Sequence, residues 1–126
     1  MSASRTYPKQ ARLRRKEEFR RVLAEGEVFP GREAIVRRAP NRLGHARLGL
    51  STPRRYGNAV RRNTFRRLAR EAFRHLQAEL GAFDSVLSPR RHLVAPTLDG
   101  LRRDLERTRT ARPAPRREPG RTRKRT

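Results

Sequence analysis

The sequence predicts an α+β domain in which a small mixed sheet of about four strands is covered by helices on one side, in the order helix, strands, helix, strand, helix. Apolar residues with helical spacing come first, at residues 16–25, and a long amphipathic helix follows at residues 58–80. Two stretches of strand-forming residues lie between them. A chain of 126 residues has room for one small domain of this kind.

The first helix is predicted over residues 16–25. Phe19, Val22 and Leu23 stand at the i, i+3, i+4 spacing that places side chains on one helix face. Gly26 follows directly, and glycine is common just past a helix C-terminus. The helix is therefore predicted to end there.

Two strands are predicted next, over residues 33–38 and 46–51, because apolar residues cluster in the first and alternate in the second. The turn-forming residues 40–44 separate them, so an antiparallel arrangement is the simplest. A shorter strand is predicted around Val28 and Phe29, and the proline and glycine that follow would interrupt it.

The central helix is predicted to begin after Asn58, a good N-terminal cap, and to end at Gly81. Its residues divide between two faces. The apolar arc consists of Phe65, Leu68, Ala69, Ala72, Phe73, Leu76 and Leu80. The polar arc, roughly 100 degrees wide, consists of Asn63, Arg66, Arg67, Arg70 and Arg74. One face is predicted to pack against the sheet and the other to bind a partner.

The last two elements are a strand and a helix. The strand is predicted at residues 84–87, where serines make the pattern weaker than that of a buried strand. The helix is predicted to be capped by Thr97 and supported by an i, i+4 ion pair between Asp99 and Arg103. Its apolar side consists of Leu98, Leu101 and Leu105.

The two ends of the chain are predicted to lie outside the fold. Residues 1–10 are expected to form a flexible basic arm, and residues 111–126, rich in proline and arginine, a disordered basic tail. The folded domain is predicted to span residues 11–110.

The charge of the chain points to a polyanionic partner. Its 34 basic residues face 12 acidic ones, for a net charge of +22, and only Lys9, Lys16 and Lys124 among the basic residues are lysines. Planar guanidinium groups suit phosphate oxygens and base edges, so nucleic acid is the first expectation. The sequence has no cysteine and no long apolar run, so we expect a cytoplasmic protein with neither a membrane nor a small-molecule partner.

The cationic face of the central helix is the candidate binding site. A solvated helix face usually mixes signs, whereas this helix places arginines at successive i, i+4 positions, where they repel one another. A bound polyanion would offset that repulsion. Asn63, within the arc, either reads a base or ribose, holds a hydrated metal ion, or makes a local bond. The predicted nucleic-acid-binding set, which the resemblance given below assigns to RNA, is Arg54, Arg55, Arg61, Arg62, Asn63, Arg66, Arg67, Arg70 and Arg74.

No catalytic or metal-binding residues are expected in the protein. Metal-assisted phosphodiester hydrolysis uses converging carboxylates, and those of this chain are spread among arginines as ordinary helix ion pairs. Acid–base catalysis without metal would use two converging histidines, whereas His45, His75 and His92 are predicted in a turn, a helix and a loop.

Residues 47–73 resemble the protein component of bacterial ribonuclease P. The strand RLGLS at residues 47–51 leads through the basic pair Arg54 and Arg55 into GNAVRRNTFRRLAREAF at residues 57–73. The family pattern has the same order, a strand of the type R-x-G-L-S and then G-N-A-V-x-R-N-R-x-K-R-x-x-R-E. The similarity covers roughly residues 10–108.

The resemblance implies a left-handed β-α-β crossover that presents the central helix, and an enzyme whose catalytic subunit is RNA. That helix would contact the catalytic RNA, and Mg²⁺ would be held chiefly by the RNA. A cleft beside the first helix would take the single-stranded 5′ leader of precursor tRNA. By motif position, the leader cleft would include Phe19, Arg37 and Arg47. Phe19 has a second interpretation as a core residue, because it shares a helix face with Val22.

Three departures from the family pattern bear on how the chain would bind RNA. Thr64 replaces the second arginine of the Arg-Asn-Arg signature, so one charged contact is lost or is supplied by a neighbour such as Arg61. Leu23 and Arg37 stand where aromatic residues are common, which favours an electrostatic grip over base stacking. The alternative hypotheses are a ribosome-associated or general RNA-binding protein, and a DNA-binding helix without the helix-turn-helix partner that such helices usually have.

Overall fold

A computed structural model describes residues 9–93 and 95–115. Within them lie three α-helices and four strands in the predicted order. Their bounds are α1 Lys16–Glu25, β1 Glu27–Pro30, β2 Ala34–Pro40, β3 Arg47–Leu50, α2 Ala59–Leu76, β4 Phe83–Pro89 and α3 Leu98–Arg107. The predicted α+β class and its element order are confirmed.

The sheet has the order β1-β2-β4-β3, with β4 in an interior position. β2 pairs antiparallel with both β1 and β4, and β3 pairs parallel with β4. β2 and β3 therefore run in opposite directions, as predicted, but they are not neighbours because β4 lies between them. β3, α2 and β4 form a β-α-β unit. Its left-handedness, implied by the resemblance, stays a prediction.

Helices cover both faces of the sheet, so the prediction of one covered side was wrong. Val86 and Leu87 are adjacent on β4 and point to opposite faces. Leu87 belongs to the main core with apolar residues of α2 and α3, whereas Val86 belongs to a smaller cluster with Val22 of α1. α1 thus packs alone on the second face.

Local signals in the sequence set the helix ends. The side chain of Asn58 accepts a hydrogen bond from the Arg61 N–H at 3.0 Å and caps α2. Thr97 caps α3 in the same way through the Gly100 N–H at 3.0 Å. α2 passes into a 3₁₀ turn at Gln77–Glu79, and the chain then turns at Gly81 with φ of +76°. The helix is thus four residues shorter than the prediction that ran to residue 80.

Two predictions about weaker elements change in detail. β4 is longer than predicted and fully integrated in the sheet, because its polar Asp84 is buried and hydrogen-bonded instead of solvated. On α3, Asp99 pairs with Arg102 at 3.6 Å, one turn away at i, i+3, and not with Arg103.

Segments flanking the fold each add one bridge to an edge strand. Arg12 pairs with Leu48 of β3, and Ala114 pairs with Val28 of β1. Each bridge pairs backbone groups that an edge strand would otherwise leave open to another chain. Residues 1–8 and 116–126, most of the predicted arm and tail, lie outside the described residues, so those predictions remain.

A buried carboxylate joins α3 to the turn between β1 and β2. Asp104 accepts hydrogen bonds from the backbone N–H groups of Arg32, Glu33 and Ala34 at 3.0, 2.8 and 2.9 Å. Gly31 lies so close to this carboxylate that a Cβ there would collide with it, at 2.3 Å from the carboxyl carbon. The turn that carries Arg32 is therefore fixed against α3.

Candidate nucleic-acid interface

The two predicted faces of α2 are present in the structure. Six of the seven residues of the apolar arc are buried, and Leu68 packs against the same core while half-buried. On the opposite side Asn63 and Arg67 are exposed, and the remaining arginines of the arc are half-buried. The helix therefore presents a row of guanidinium groups while its other side closes the core.

Several of the predicted RNA-binding residues have partners within the protein. Arg66 Nη1 donates to Thr52 Oγ1 at 3.0 Å, and Arg74 forms an ion pair with Glu71. The hydrogen bond and charge of Arg74 hold the pKa of Glu71 below its usual value, with a contribution from His75. Arg74 is thus partly neutralised, which leaves the first part of α2 as its more cationic part.

Arg61 is held against the protein. Its guanidinium lies over the ring of Tyr56, 4.7 Å from the centroid, and donates to the backbone oxygen of Leu93. It therefore connects the start of α2 to the loop after β4. Arg54 and Arg55, in the 3₁₀ turn Arg54–Tyr56 just before α2, are exposed.

The hydroxyl of Thr64, which replaces a family arginine, donates to the Val60 oxygen within α2 at 2.9 Å. It is therefore satisfied by the helix itself.

A cleft of about 520 Å³ lies beside β3 and brings α1 and α2 together. Phe19 of α1 lines one side, and Arg66 and Arg70 of α2 line the other. The complete lining is Arg12, Leu13, Arg14, Phe19, Leu48, Gly49, Leu50, Arg66 and Arg70. Phe19 thus lines this cleft and also packs, half-buried, against the apolar cluster around Val22.

Sequence reasoning missed Arg12 and Arg14 as cleft residues. They belong to the segment before α1 that pairs with β3, and Arg12 forms a bridge with Leu48. The signal available was the run of basic residues directly ahead of the first helix, which the prediction placed at the start of the domain without giving it a role.

Gly49 sets how closely Phe19 approaches β3. A Cβ at this position would stand 2.7 and 2.8 Å from two ring atoms of Phe19 and 3.1 Å from the Cβ of Leu13. Only glycine leaves the ring room to lie directly on the strand backbone.

We expect Gly49→Ala to displace the Phe19 ring and to destabilise the domain by about 1–3 kcal/mol, the usual cost of an inserted methyl group. Urea denaturation measures the loss of stability, and aromatic NMR shifts of Phe19 measure the displacement. Gly44→Ala is an unsuitable control, because that glycine has φ of +81°. Leu50→Val, which alters the cleft without adding a contact on Phe19, is the matched comparison. Unchanged Phe19 shifts in Gly49→Ala would contradict the packing.

Arg47, predicted to line the leader cleft, instead lies in a network of ion pairs beneath α1. Its Nε and Nη2 donate to Asp84 at 2.9 and 2.8 Å, and its Nη1 donates to Glu18 at 3.0 Å. Its side chain is only 15% exposed. The hydrogen bonds with Asp84 raise the pKa of Arg47 further. Arg47 is therefore committed to its carboxylate partners, and its prediction as a leader contact is corrected.

Arg37 also lies away from the cleft. It stands on β2 opposite Val86 and Val28, on the face that carries α1, and is half-buried. The prediction that placed it with Phe19 followed motif position. Arg37 and Phe19 lie on the same face of the sheet, but only Phe19 lines this cleft, so the role of Arg37 as a leader contact stays a prediction.

A second basic recess of about 710 Å³ lies past the C-terminal end of β4, and its lining includes Arg32, Arg90, Arg91 and His92 together with the apolar Ile35. Within residues 9–93 and 95–115, none of these three arginines takes part in an ion pair. The recess therefore adds unneutralised positive charge to the surface.

The described part of the chain brings together no group of three or more histidine, aspartate or glutamate side chains that could hold a metal ion. It also contains no helix with the length and apolar character needed to cross a membrane.

A family model described as Ribonuclease P matches residues 7–111. The chain belongs to the ribonuclease P protein family. The resemblance carried by residues 47–73 is thereby confirmed. Because the match begins at residue 7, it includes the basic segment before α1 as well as α2.

Relatives in several bacteria carry the name ribonuclease P protein component. The protein of Chlamydia trachomatis serovar A is 36% identical over 86 residues, which cover 68% of this chain and 72% of the relative. The protein of an Exiguobacterium species is 35% identical over 98 residues, covering 78% and 86%.

Solved ribonuclease P proteins share the fold. The Staphylococcus aureus protein superposes with a TM-score of 0.68 at 29% identity, covering 76% of this chain and 89% of that one. The Thermotoga maritima protein, solved in complex with 1-(4-fluorophenyl)-2-thiourea, gives 0.67 at 30% identity, covering 76% and 94%. The helix and sheet arrangement described above is thus that of the ribonuclease P family.

Proposed function

We propose that this chain is the protein subunit of ribonuclease P, which binds the catalytic RNA and the 5′ leader of precursor tRNA and so promotes removal of the leader and formation of the mature tRNA 5′ end. One observation carries the proposal. Arg66 and Arg70 of α2 line the same cleft as Phe19 of α1. The cationic face of α2 and the cleft lined by Phe19 therefore form one continuous surface. Such a surface suits a single RNA strand that extends away from a larger RNA.

The chemistry of this surface fits single-stranded RNA. Arginines along the cleft neutralise phosphates and release counterions, which favours binding at modest salt. The half-buried ring of Phe19 offers a surface against which one base stacks, and Gly49 holds that ring close to the strand backbone. The outer arginines of α2, with Asn63, are left to contact the catalytic RNA.

As part of the proposal, cleavage is carried out by the RNA subunit, which chiefly holds Mg²⁺. In support, the two most enclosed carboxylates of the protein are already engaged, Asp84 by arginines and Asp104 by backbone N–H groups. No catalytic residue is assigned to the protein, whose contribution is to position substrate and to lower phosphate repulsion. We place the holoenzyme in the cytoplasm, in keeping with its bacterial relatives.

The test is to mix the protein with its cognate catalytic RNA at low Mg²⁺ and to measure 5′-leader removal from a precursor tRNA. We expect the protein to stimulate cleavage strongly, since it replaces charge neutralisation that Mg²⁺ alone would supply. Salt-dependent binding to any RNA, without stimulation, would instead identify a ribosome-associated or general RNA-binding protein.

A further inference from the structure

An ion-pair network fastens α1 to the sheet beneath the cleft. Asp84 of β4 is fully buried, and both of its oxygens are used. Oδ1 accepts from Arg47 Nε at 2.9 Å and Asn41 Nδ2 at 2.8 Å, and Oδ2 accepts from Arg47 Nη2 at 2.8 Å and Arg21 Nη2 at 2.6 Å. Arg21 belongs to α1, so the carboxylate holds the helix directly.

Glu18 gives α1 a second attachment through Arg47. Its Oε2 accepts from Arg47 Nη1 at 3.0 Å, while its Oε1 accepts from the backbone N–H groups of Arg14 and Arg15 at 3.2 Å each. The same side chain therefore links β3 to the start of α1 and to the cleft-lining segment before it. Phe19 follows Glu18 directly.

We propose that Glu18, Arg47, Asp84 and Arg21 are positioning residues that set the width of the leader cleft without touching RNA. This rests on the proposed function, since it concerns how the same cleft takes the leader. Phe19 and Arg14 form the wall that the network holds, and Arg66 and Arg70 form the wall carried by α2. Asp84, with no exposed surface, cannot contact a ligand and can act only through its partners.

The geometry explains why an arginine in the family's strand motif lies below the cleft and not within it. Arg47 and Asp84 are direct partners in the parallel register of β3 and β4. The guanidinium group of Arg47 extends from that pair to Glu18, so Arg47 connects β3, β4 and α1. A change in any residue of this ion-pair network is expected to shift α1 relative to β3. Because the cleft lies between a wall on α1 and a wall on α2, a shift of about 1 Å would alter how it holds the leader.

Glu18→Gln tests the proposal, with Glu17→Gln as its matched control. Glutamine keeps an oxygen for the Arg14 and Arg15 N–H groups, since glutamine also forms capping boxes, but it loses the charge that holds Arg47. Glu17 is its exposed neighbour on α1, and the control makes the same change of charge. Each holoenzyme, protein with catalytic RNA, is titrated with a precursor tRNA and with the same tRNA lacking its leader.

We expect Glu18→Gln to lower the ratio of the affinity for precursor tRNA to the affinity for leaderless tRNA by about tenfold. The affinity of the protein for the catalytic RNA alone, and the salt slope of precursor binding, should stay as in Glu17→Gln. Asp84→Asn, measured below its melting temperature, should act in the same direction. A ratio equal to that of Glu17→Gln would overturn the proposal. The proposal would also be overturned if Arg47→Gln lowered the salt slope of precursor tRNA binding by about one, because that change would show that Arg47 contacts a phosphate. A wild-type protein without any leader preference would contradict the proposed function instead.

Discussion

Replacing Arg66 and Arg70 together with glutamine is expected to weaken precursor tRNA binding by the holoenzyme about tenfold at physiological salt. Both guanidinium groups line the cleft, and each is expected to neutralise one phosphate. The slope of log affinity against log salt should therefore become shallower by about one for each residue. Titrations from low to physiological salt measure both effects. The free energy of unfolding should change by no more than about 1 kcal/mol, since neither side chain is in the core and the loss is that of the hydrogen bond from Arg66 to Thr52.

The matched control removes two charges elsewhere, with Arg103→Gln and Arg112→Gln, both at exposed positions. This variant should change binding much less. An equal loss in both double variants would contradict a localised site and favour binding by net charge alone. The division of α2 into two faces would be wrong if Leu68→Ala weakened binding equally without destabilising the fold.

Asp84→Asn is expected to lower the stability of the domain by about 3–5 kcal/mol, because it leaves Arg47 buried with its main partner neutralised. For a domain of this size, that corresponds to a melting temperature lower by more than about 10 °C. Thermal unfolding followed by circular dichroism measures the shift. Asp99→Asn, which breaks an exposed pair on α3, should hardly move it.

The same carboxylate predicts how stability depends on pH. Burial alone would raise the pKa of Asp84, but the hydrogen bonds and charge of Arg47, together with hydrogen bonds from Asn41 and Arg21, lower it overall. A carboxyl with a lowered pKa in the folded state stabilises above its unfolded pKa, near 4, and loses that contribution as pH falls through the folded value. Below about pH 4, wild type should therefore lose stability more steeply than Asp84→Asn. Parallel curves would contradict the network.

Local sequence patterns predicted the elements of this fold well. The spacing of Phe19 and Val22, and the caps Asn58 and Thr97, act within a few residues of one another, so periodicity and capping chemistry were sufficient. The two faces of α2 followed from the same rule. The strand order did not, because β4 separates β2 from β3 through pairings between distant parts of the chain.

The same distinction between local and long-range contacts applies to the candidate site. Arg66 and Arg70 could be predicted from one helix, but their meeting with Phe19 in one cleft was not predicted, because it depends on how α1 and α2 pack on either side of β3. Arg47 was misassigned because its role depends on Asp84, 37 residues away, and a sequence does not show which carboxylate an arginine will reach. Motif position placed Arg47 in the leader cleft, whereas its hydrogen bonds hold it to Asp84 and Glu18.

Photo-crosslinking tests the claim of one continuous RNA-binding surface most directly. Because the chain has no cysteine, a single introduced cysteine carries the crosslinker at a unique position. In the holoenzyme with precursor tRNA, Arg14→Cys should crosslink to the leader and Asn63→Cys to the catalytic RNA. Asp99→Cys, at an exposed acidic position on α3, should give little of either. Equal crosslinking from all three positions, or leader crosslinks from position 99 and none from position 14, would contradict the surface described here.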